Sequence, residues 1–560
     1  MVNWKSRKTG DILLLANGLV LILLINLLSS FYFFRLDLTE EKRYTIKEPT
    51  RKMLSQLDEV VYVEVFLEGD LNAGFTRLKK SIREVLDEFR IYSDNKVQFT
   101  FTNPTAALSQ KAQSEFAREL AAKGIQALPV IETKDGERSE KIVFPGALVS
   151  YAGAETGVML FKGNRAQNPQ EVLNQSIEGL EYELANAIYA LSNTELKSIG
   201  FLQGHGELDS IQTASLRTGL STLYEVSSVN LSSSEPIRSD VLLVAKPTQR
   251  FSEVDKYKLD QYLIRGGKLL FFLDRFDASM DSASLTNYFA FPYETGLEDQ
   301  LFKYGVRINP DLVQDLVSSK YPVVTGVVGN QPQIMQMDWP FFPLVNGYAD
   351  HSITRNLDLT LHRFVSSIDT VKAVGVRKTP LLFSSNGSRK ISAPVKVSVN
   401  DLRELNPESF TDGPQAVAYL LEGTFTSLFR NRFLPEGVEA TPAIESSAPT
   451  KIIVVSDGDF VRNDINPRNG QPQQLGLDPF TRYTFANQDL VMNMVAYLVE
   501  EDGLIKARNK EVKIRPLDRQ RIKESRVFWQ VVNLVLPLAL LILFGIGRAY
   551  YRQLKYTRFK

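Results

Sequence analysis

Five side chains capable of acid–base or ligand chemistry fall where loops leave apolar, strand-like runs. His205 and Glu207 lie in Gln203-Gly204-His205-Gly206-Glu207, Asp274 follows Lys268–Leu273, and Asp457 and Asp459 lie in Ser456-Asp457-Gly458-Asp459-Phe460. In open parallel sheets, ligands bind beyond the carboxyl ends of the strands, near the point where strand order reverses. If these strands are central neighbours, the five residues share one crevice with the loop Lys246–Gln249. An imidazole among carboxylates can bind a divalent cation or hydrogen-bond a sugar-like ligand. The plainer reading carries more weight: strand-end loops are polar anyway, and Gly204 and Gly206 serve a tight turn with His205 as a local hydrogen-bonder. The five are therefore candidate ligand- or partner-binding residues, with no catalytic residue, metal set or cofactor assigned.

Several chemistries are excluded. The 560 residues contain no cysteine, which removes disulfides, thiol nucleophiles, zinc–thiolate sites and iron–sulfur clusters. No G-x-x-x-x-G-K-[ST], H-E-x-x-H or G-x-S-x-G occurs. Gly204-His205-Gly206 begins a G-x-G-x-x-G, but its last position is Asp209, which argues against a dinucleotide site. A hydrolase built on His205 ranks last, because only His205, His351 and His362 are available as bases. Lys and Arg total 65 against 65 Asp and Glu, so there is no cationic surplus for nucleic acid.

The elements that must hold these residues read as α/β. Val60–Leu67 and Lys96–Thr102 are strands by pattern, separated by an amphipathic helix over 76–91. A helix at 108–123 leads to strands at Pro129–Thr133 and Ile142–Tyr151, giving a small α/β domain of thioredoxin-like outline without a CxxC. A helix over 169–192 has one apolar stripe, and its Glu171, Glu178, Glu181 and Glu183 read as a solvated face. Lys197–Leu202, Glu225–Leu231, Asp240–Ala245, Lys268–Leu273 and Lys451–Val455 then alternate with helices at Ile211–Leu223, Val254–Ile264 and Asn487–Val499. Strands apolar on both faces and alternating with helices imply a parallel, doubly wound sheet. Within 276–450 the pattern is mixed, with a helix at Glu298–Tyr304 and strands at His362–Ala373 and Ala416–Leu421.

Both ends read as membrane spans. Asp11–Phe34 would give about 36 Å of helix, against a hydrocarbon core of about 30 Å, and it ends in aromatics rather than a cleavage site. Val527–Gly547 is uncharged, with Pro537 inside it. Lys5, Arg7 and Lys8 before the first span, and Arg548, Arg552, Lys555, Arg558 and Lys560 after the second, place both termini in the cytoplasm, although Lys513–Arg526 is also basic. The expected division is a tip and span at 1–34, a small α/β domain at 35–168 and a connecting helix at 169–195. An α/β domain with insertions at 196–500, a basic linker at 501–526, a span at 527–547 and a tail at 548–560 complete it.

Together, Phe201-Leu202-Gln203-Gly204-His205-Gly206-Glu207, Arg265-Gly266-Gly267-Lys268-Leu269-Leu270, Asp457-Gly458-Asp459-Phe460 and Asn487 with its apolar helix resemble the gliding-motility-associated ABC transporter family GldG of the Bacteroidetes. The resemblance runs from the Arg43-Tyr44 neck to the basic tail. It implies a flavodoxin-like, glutamine-amidotransferase-like central domain, a relative of which occurs in an intraflagellar transport subunit. Amidotransferases of that fold need a Cys nucleophile, which this chain lacks, so the fold would be carried without the reaction. The resemblance also implies a non-enzymatic, membrane-anchored subunit working with a separate permease and a separate ATPase, with no cofactor. It would sit in the cytoplasmic membrane with its body in the periplasm, and homo-oligomers are possible. It transfers no catalytic residues, and His205 and Glu207 carry over as motif positions only.

Overall fold

The computed structural model describes residues 7–31, 45–104, 110–134, 137–163, 168–193, 196–233, 236–283, 288–328, 331–399, 402, 405–436, 438, 445–499 and 525–557. The chain forms two compact units, Met1–Glu511 and Val512–Lys560.

The first unit begins with helix α1 (Arg7–Phe31), followed by α2 (Glu48–Ser55). A small α/β layer then runs β1 (Val61–Val65), α3 (Ala73–Tyr92), β2 (Val97–Phe101), α4 (Gln110–Ala122), β3 (Leu128–Lys134), β4 (Glu137–Val143), β5 (Gly146–Tyr151) and β6 (Ala154–Met159). Its four-stranded sheet has the order β2-β1-β5-β6, with β1 and β2 parallel and the other pairs antiparallel. Val61, Val63 and Val65 share one face of β1 and pack with Leu78, Ile82 and Leu86 of α3. Asn72 caps α3 by accepting from Phe75 N. The expected single strand Ile142–Tyr151 is two, β4 and β5, separated at Phe144-Pro145 because proline lacks the donor a ladder needs. Strand β6 lay outside the sequence reading. It closes on β5 through Ala152 and Gly153, both in the left-handed region at φ 49° and 85°, as a two-residue hairpin requires.

Helix α5 (Pro169–Ser192) starts at Asn168, whose side chain accepts from Glu171 N, with Pro169 in the first turn. Its acidic residues are not all solvated. Glu181 is buried, and its Oε1 accepts from Lys47 N (2.7 Å) and Thr50 Oγ1 (3.0 Å), tying α5 to α2. Glu183 pairs with Lys162 at 2.9 Å.

The larger sheet has eight strands. Five are parallel: β7 (Ser198–Gln203), β8 (Glu225–Asn230), β9 (Val241–Ala245), β10 (Lys268–Phe272) and a later strand at Thr450–Val455. In chain order these stand 2-1-3-4-5 across the sheet, so strand order reverses between β7 and β9. The expected all-parallel sheet is mixed, because Ala416–Gly423, Val376–Phe383 and Gly347–Tyr348 continue it antiparallel. These three come from the 276–450 insertion; Ala416–Gly423 pairs with the last parallel strand, and the other two add outward from it in turn.

All five residues of β9 are buried, as a central strand covered on both faces demands. On one face α6 (Ala214–Ser221) and the helix Asn487–Val499 set Leu216, Leu490 and Met494 on Phe201, Leu243 and Leu270. On the other, α7 (Glu253–Ile264) and α8 (Glu298–Tyr304) set Leu259, Leu263 and Leu301 on Leu242, Val244 and Leu269. Gly266 (φ 97°) and Gly267 stop α7, with Gly267 N donating to Tyr262 O. Helix α6 is shorter than expected, because Asp209 Oδ1 accepts from Ile211 N and Gln212 N and holds a turn before it. Most of His362–Ala373, read as a strand, is loop, with short pairings at Thr360–Leu361 and Ile368–Thr370. A long hairpin, Ser318–Val328 with Gln331–Val345, lay outside the sequence reading.

The second unit contains a helix at Arg526–Thr557 with Pro537 inside it, long and apolar enough to cross a membrane. In α1 the apolar stretch among the described residues is Leu13–Leu27, which is shorter than a span requires. Residues 32–34 of the expected first span lie outside the described residues.

Candidate functional site

The five residues marked in the sequence all lie at the carboxyl ends of the parallel strands, but they form two groups. The first sits at the strand-order reversal, after β7. Gly204 (φ 125°) and Gly206 (φ 74°) bracket His205 in backbone that side-chain-bearing residues rarely adopt. The loop folds onto the segment after β9, where Thr248 N (3.0 Å) and Gln249 N (2.8 Å) both donate to His205 O. A Cβ on Gly206 would lie 2.2 Å from Thr248 Oγ1, so only glycine permits this approach.

The His205 ring stacks on Phe251, with centroids 3.8 Å apart and planes 4° from parallel. Its Nδ1 is 3.3 Å from Glu207 Oε1 and its Nε2 is 3.2 Å from Asp255 Oδ2. Glu207 Oε2 also accepts from His205 N at 2.7 Å, and Ser252 Oγ donates to Asp255 Oδ2 at 2.6 Å. Burial disfavours the imidazolium, but Glu207 and Asp255 outweigh it and raise the His205 pKa. Burial likewise opposes ionisation of Glu207 and Asp255, yet their hydrogen bonds lower both pKa values. The three therefore form a carboxylate–imidazole–carboxylate row in which each group favours the charged form of its neighbour.

The second group centres on Lys246, which leaves β9 in the left-handed region at φ 52°. Its Nζ lies 2.9 Å from Asp274 Oδ2 and 2.6 Å from Asp459 Oδ2. Asp274 Oδ1 accepts from Gly458 N, and a Cβ on Gly458 would lie 2.8 Å from the Lys246 side chain. Asp457 Oδ2 accepts from Arg363 N at 2.9 Å and lies 3.2 Å from His362 Nδ1. The Arg363 guanidinium makes a two-pronged pair with Asp464 at 3.1 and 2.8 Å. Burial, together with Asp459 and Asp457, outweighs the Lys246 charge and pushes the Asp274 carboxyl up to about 7. Burial also works against ionised Asp459, but Lys246 and the nearby arginines prevail and its pKa is lowered. The Lys246 pKa is raised, its two carboxylates overcoming the cost of burial.

No hydrogen bond or ion pair among the described residues joins the two groups. Exposure is 7% for His205, 9% for Glu207, 6% for Asp274, 0% for Asp457 and 8% for Asp459. Among the described residues no cluster of three His, Asp or Glu side chains is placed to hold a metal ion. The ion pairs fix the strand-end loops, while Asp457 Oδ1 is buried without a hydrogen-bond partner among the described residues. Sequence reading missed Lys246, Asp255, His362 and Arg363 as partners. Lys246 stood in a loop already marked, whereas Asp255 reads only as a first-turn helix acid and His362 fell within a mistaken strand.

A doubly wound α/β body with charge-paired strand-end loops, and a C-terminal helix long and apolar enough to cross a membrane, define an α/β protein compatible with membrane anchoring. The chain belongs to the family described as an ABC-type uncharacterized transport system, whose model matches residues 196–494. Residues 40–150 match a separate domain of unknown function. An uncharacterized protein of Borreliella burgdorferi is 21% identical over 97% of this chain and 98% of its own length. Among solved structures, the N-terminal domain of mmIFT52 matches at 15% identity with a TM-score of 0.32, covering 54% of this chain and 98% of its own. A putative thua-like protein from Parabacteroides merdae matches at 10% identity with a TM-score of 0.25, covering 57% and 93%. The family ties the chain to ABC-type transport, and no catalytic family is among the matches.

Proposed function

We propose that this chain is a non-catalytic, doubly anchored subunit of an ABC transporter complex of the GldG type, serving gliding motility in a bacterium of the Bacteroidetes. Its membrane helices would pack against a separate permease that works with a separate ATPase. Its body, 35–500, would face the periplasm and bind a ligand or partner. The family match over 196–494 carries this reading. The 2-1-3-4-5 order of the parallel strands supports a flavodoxin-like, amidotransferase-like sheet, and the absence of cysteine argues against amidotransferase chemistry on it. Within the reading, His205, Glu207, Asp274, Asp457 and Asp459 hold the strand-end loops as a preformed recognition face.

Purification of the tagged chain from native membranes tests it, with an ABC permease and an ATPase expected among the recovered proteins. Recovery of neither would overturn the transporter reading. A second reading, a structural anchor without a small ligand, draws support from the mutual pairing and burial of the five residues. A ligand that raises the unfolding midpoint by mass action would separate the two.

A further inference from the structure

A cleft of about 1250 Å³ lies away from the strand-end loops, between β6 and α5 on one side and α6 and the helix Asn487–Val499 on the other. It exceeds the roughly 300–1,000 Å³ of drug-sized pockets and sits between two sheets' worth of structure, where ligand sites concentrate. Its walls carry amide side chains from separate elements: Gln126, Asn186, Asn356, Gln474 and Gln488. Two of these stand out, and the first is seated by a glycine. Gln488 Nε2 lies where a Cβ on Gly219 would stand 2.6 Å away, and Ser215 Oγ donates to Gln488 Oε1 at 3.3 Å, which leaves Nε2 without a partner among the described residues. Asn356 takes the left-handed conformation at φ 56°, and its Nδ2 is buried without a hydrogen-bond partner among the described residues. A buried donor left unpaired is destabilising, so a polar occupant is favoured there.

The charges of the cleft narrow the chemistry. Lys123 is held by Glu155 at 3.2 Å and Lys162 by Glu183 at 2.9 Å; Arg482 also lines the cleft, but with Asp358 and Asp489 beside it the wall has no cationic surplus for an anionic ligand. An apolar ligand would strand the amides. We propose that this cleft binds a neutral, hydroxyl-rich ligand of the saccharide class, several units long, whose hydroxyls pair with the convergent amides.

The test uses the full chain in a detergent without a sugar headgroup, titrated calorimetrically with neutral hexasaccharides: α-1,4- and β-1,4-glucose, β-1,4-mannose and β-1,4-N-acetylglucosamine. At least one should bind, and hexagalacturonate, an anionic control, should not. Asn186→Leu with Gln488→Leu should weaken binding at least tenfold, with a lowered unfolding midpoint from the lost Ser215–Gln488 hydrogen bond but a folded chain. Thr218→Trp, on an exposed position of α6 that lines the cleft, should block binding while removing no side-chain hydrogen bond. Binding by none of the four, or equal binding by both variants, would overturn the proposal. Neither result bears on recovery of a permease and ATPase, so this idea and the transporter reading fail separately.

Discussion

The Lys246 ammonium lies 2.9 Å from the Asp274 carboxylate, joining the segment after β9 to the segment after β10. Asp459, 2.6 Å from the same ammonium, extends the link to the loop after Thr450–Val455. One buried cation therefore clamps three adjacent strand ends.

Removing that cation leaves Asp274 and Asp459 buried without the partner they share. Truncating one partner of a buried ion pair costs roughly 3–5 kcal/mol, more than the pair itself is worth, because the remaining charge is uncompensated. Lys246→Met should lower stability by about this amount, read as a fall in the denaturant midpoint of the full chain in detergent. A midpoint within experimental scatter of wild type would mean that the clamp is dispensable.

Asp274 predicts a pH dependence. Its folded pKa of about 7 lies above the unfolded value of about 3.9, so the folded state holds a proton that the unfolded state has lost. Its favourable contribution is complete below about pH 3.9 and disappears as pH rises through 7. Wild type should therefore lose stability relative to Asp274→Asn between about pH 4 and 7 and run parallel to it above that, since the amide retains an acceptor for Gly458 N. Parallel stability–pH curves for the two proteins across that lower range would refute this.

His205 titrates in the same sense, and its two acids in the opposite one. The raised imidazole pKa gives stability that is full below the unfolded value of about 6.5 and lost as pH climbs past the folded value. The lowered Glu207 and Asp255 pKa values give stability that is present above their unfolded values, about 4.3 and 3.9, and lost as pH falls through the folded ones. The row contributes most between about pH 4.3 and 6.5. The deficit of His205→Gln should peak in that window and shrink toward pH 8 in thermal unfolding of the full chain. A deficit independent of pH would show that stacking on Phe251, rather than charge, holds the loop.

Topology can be read with fusions. A periplasmic reporter inserted in the exposed loop at Asn466–Gly470 should be active, and one fused after Lys560 should be inactive. The reverse pattern would place the body in the cytoplasm.

Much of the framework was legible because it rests on local patterns. Helices at 169–192 and Asn487–Val499 coincide with the observed elements, since their apolar spacing and the Asn168-Pro169 start are properties of neighbouring residues. Strands β7, β9 and β10 are continuous apolar runs, and that composition already demands burial on both faces. The elements missed share a different cause. Strand β6 reads Ala-Glu-Thr-Gly-Val-Met, which carries little strand propensity and exists because β5 offers it a ladder. The antiparallel extension of the large sheet likewise depends on which edge the insertion finds.

The sequence by itself determined that this is an α/β chain with an apolar C-terminal helix long enough to cross a membrane, no thiol chemistry and polar loops at the ends of its parallel strands. Each of those follows from composition or from neighbours a few positions apart. Only the tertiary structure decided what the polar residues face. It separated His205 and Glu207 from Asp274, Asp457 and Asp459, and it supplied Asp255, Lys246, His362 and Arg363 as their partners. Lys246 and Asp459 are 213 positions apart in the chain, and charge pairing at 3 Å over such a separation is set by strand order, which no local spacing encodes.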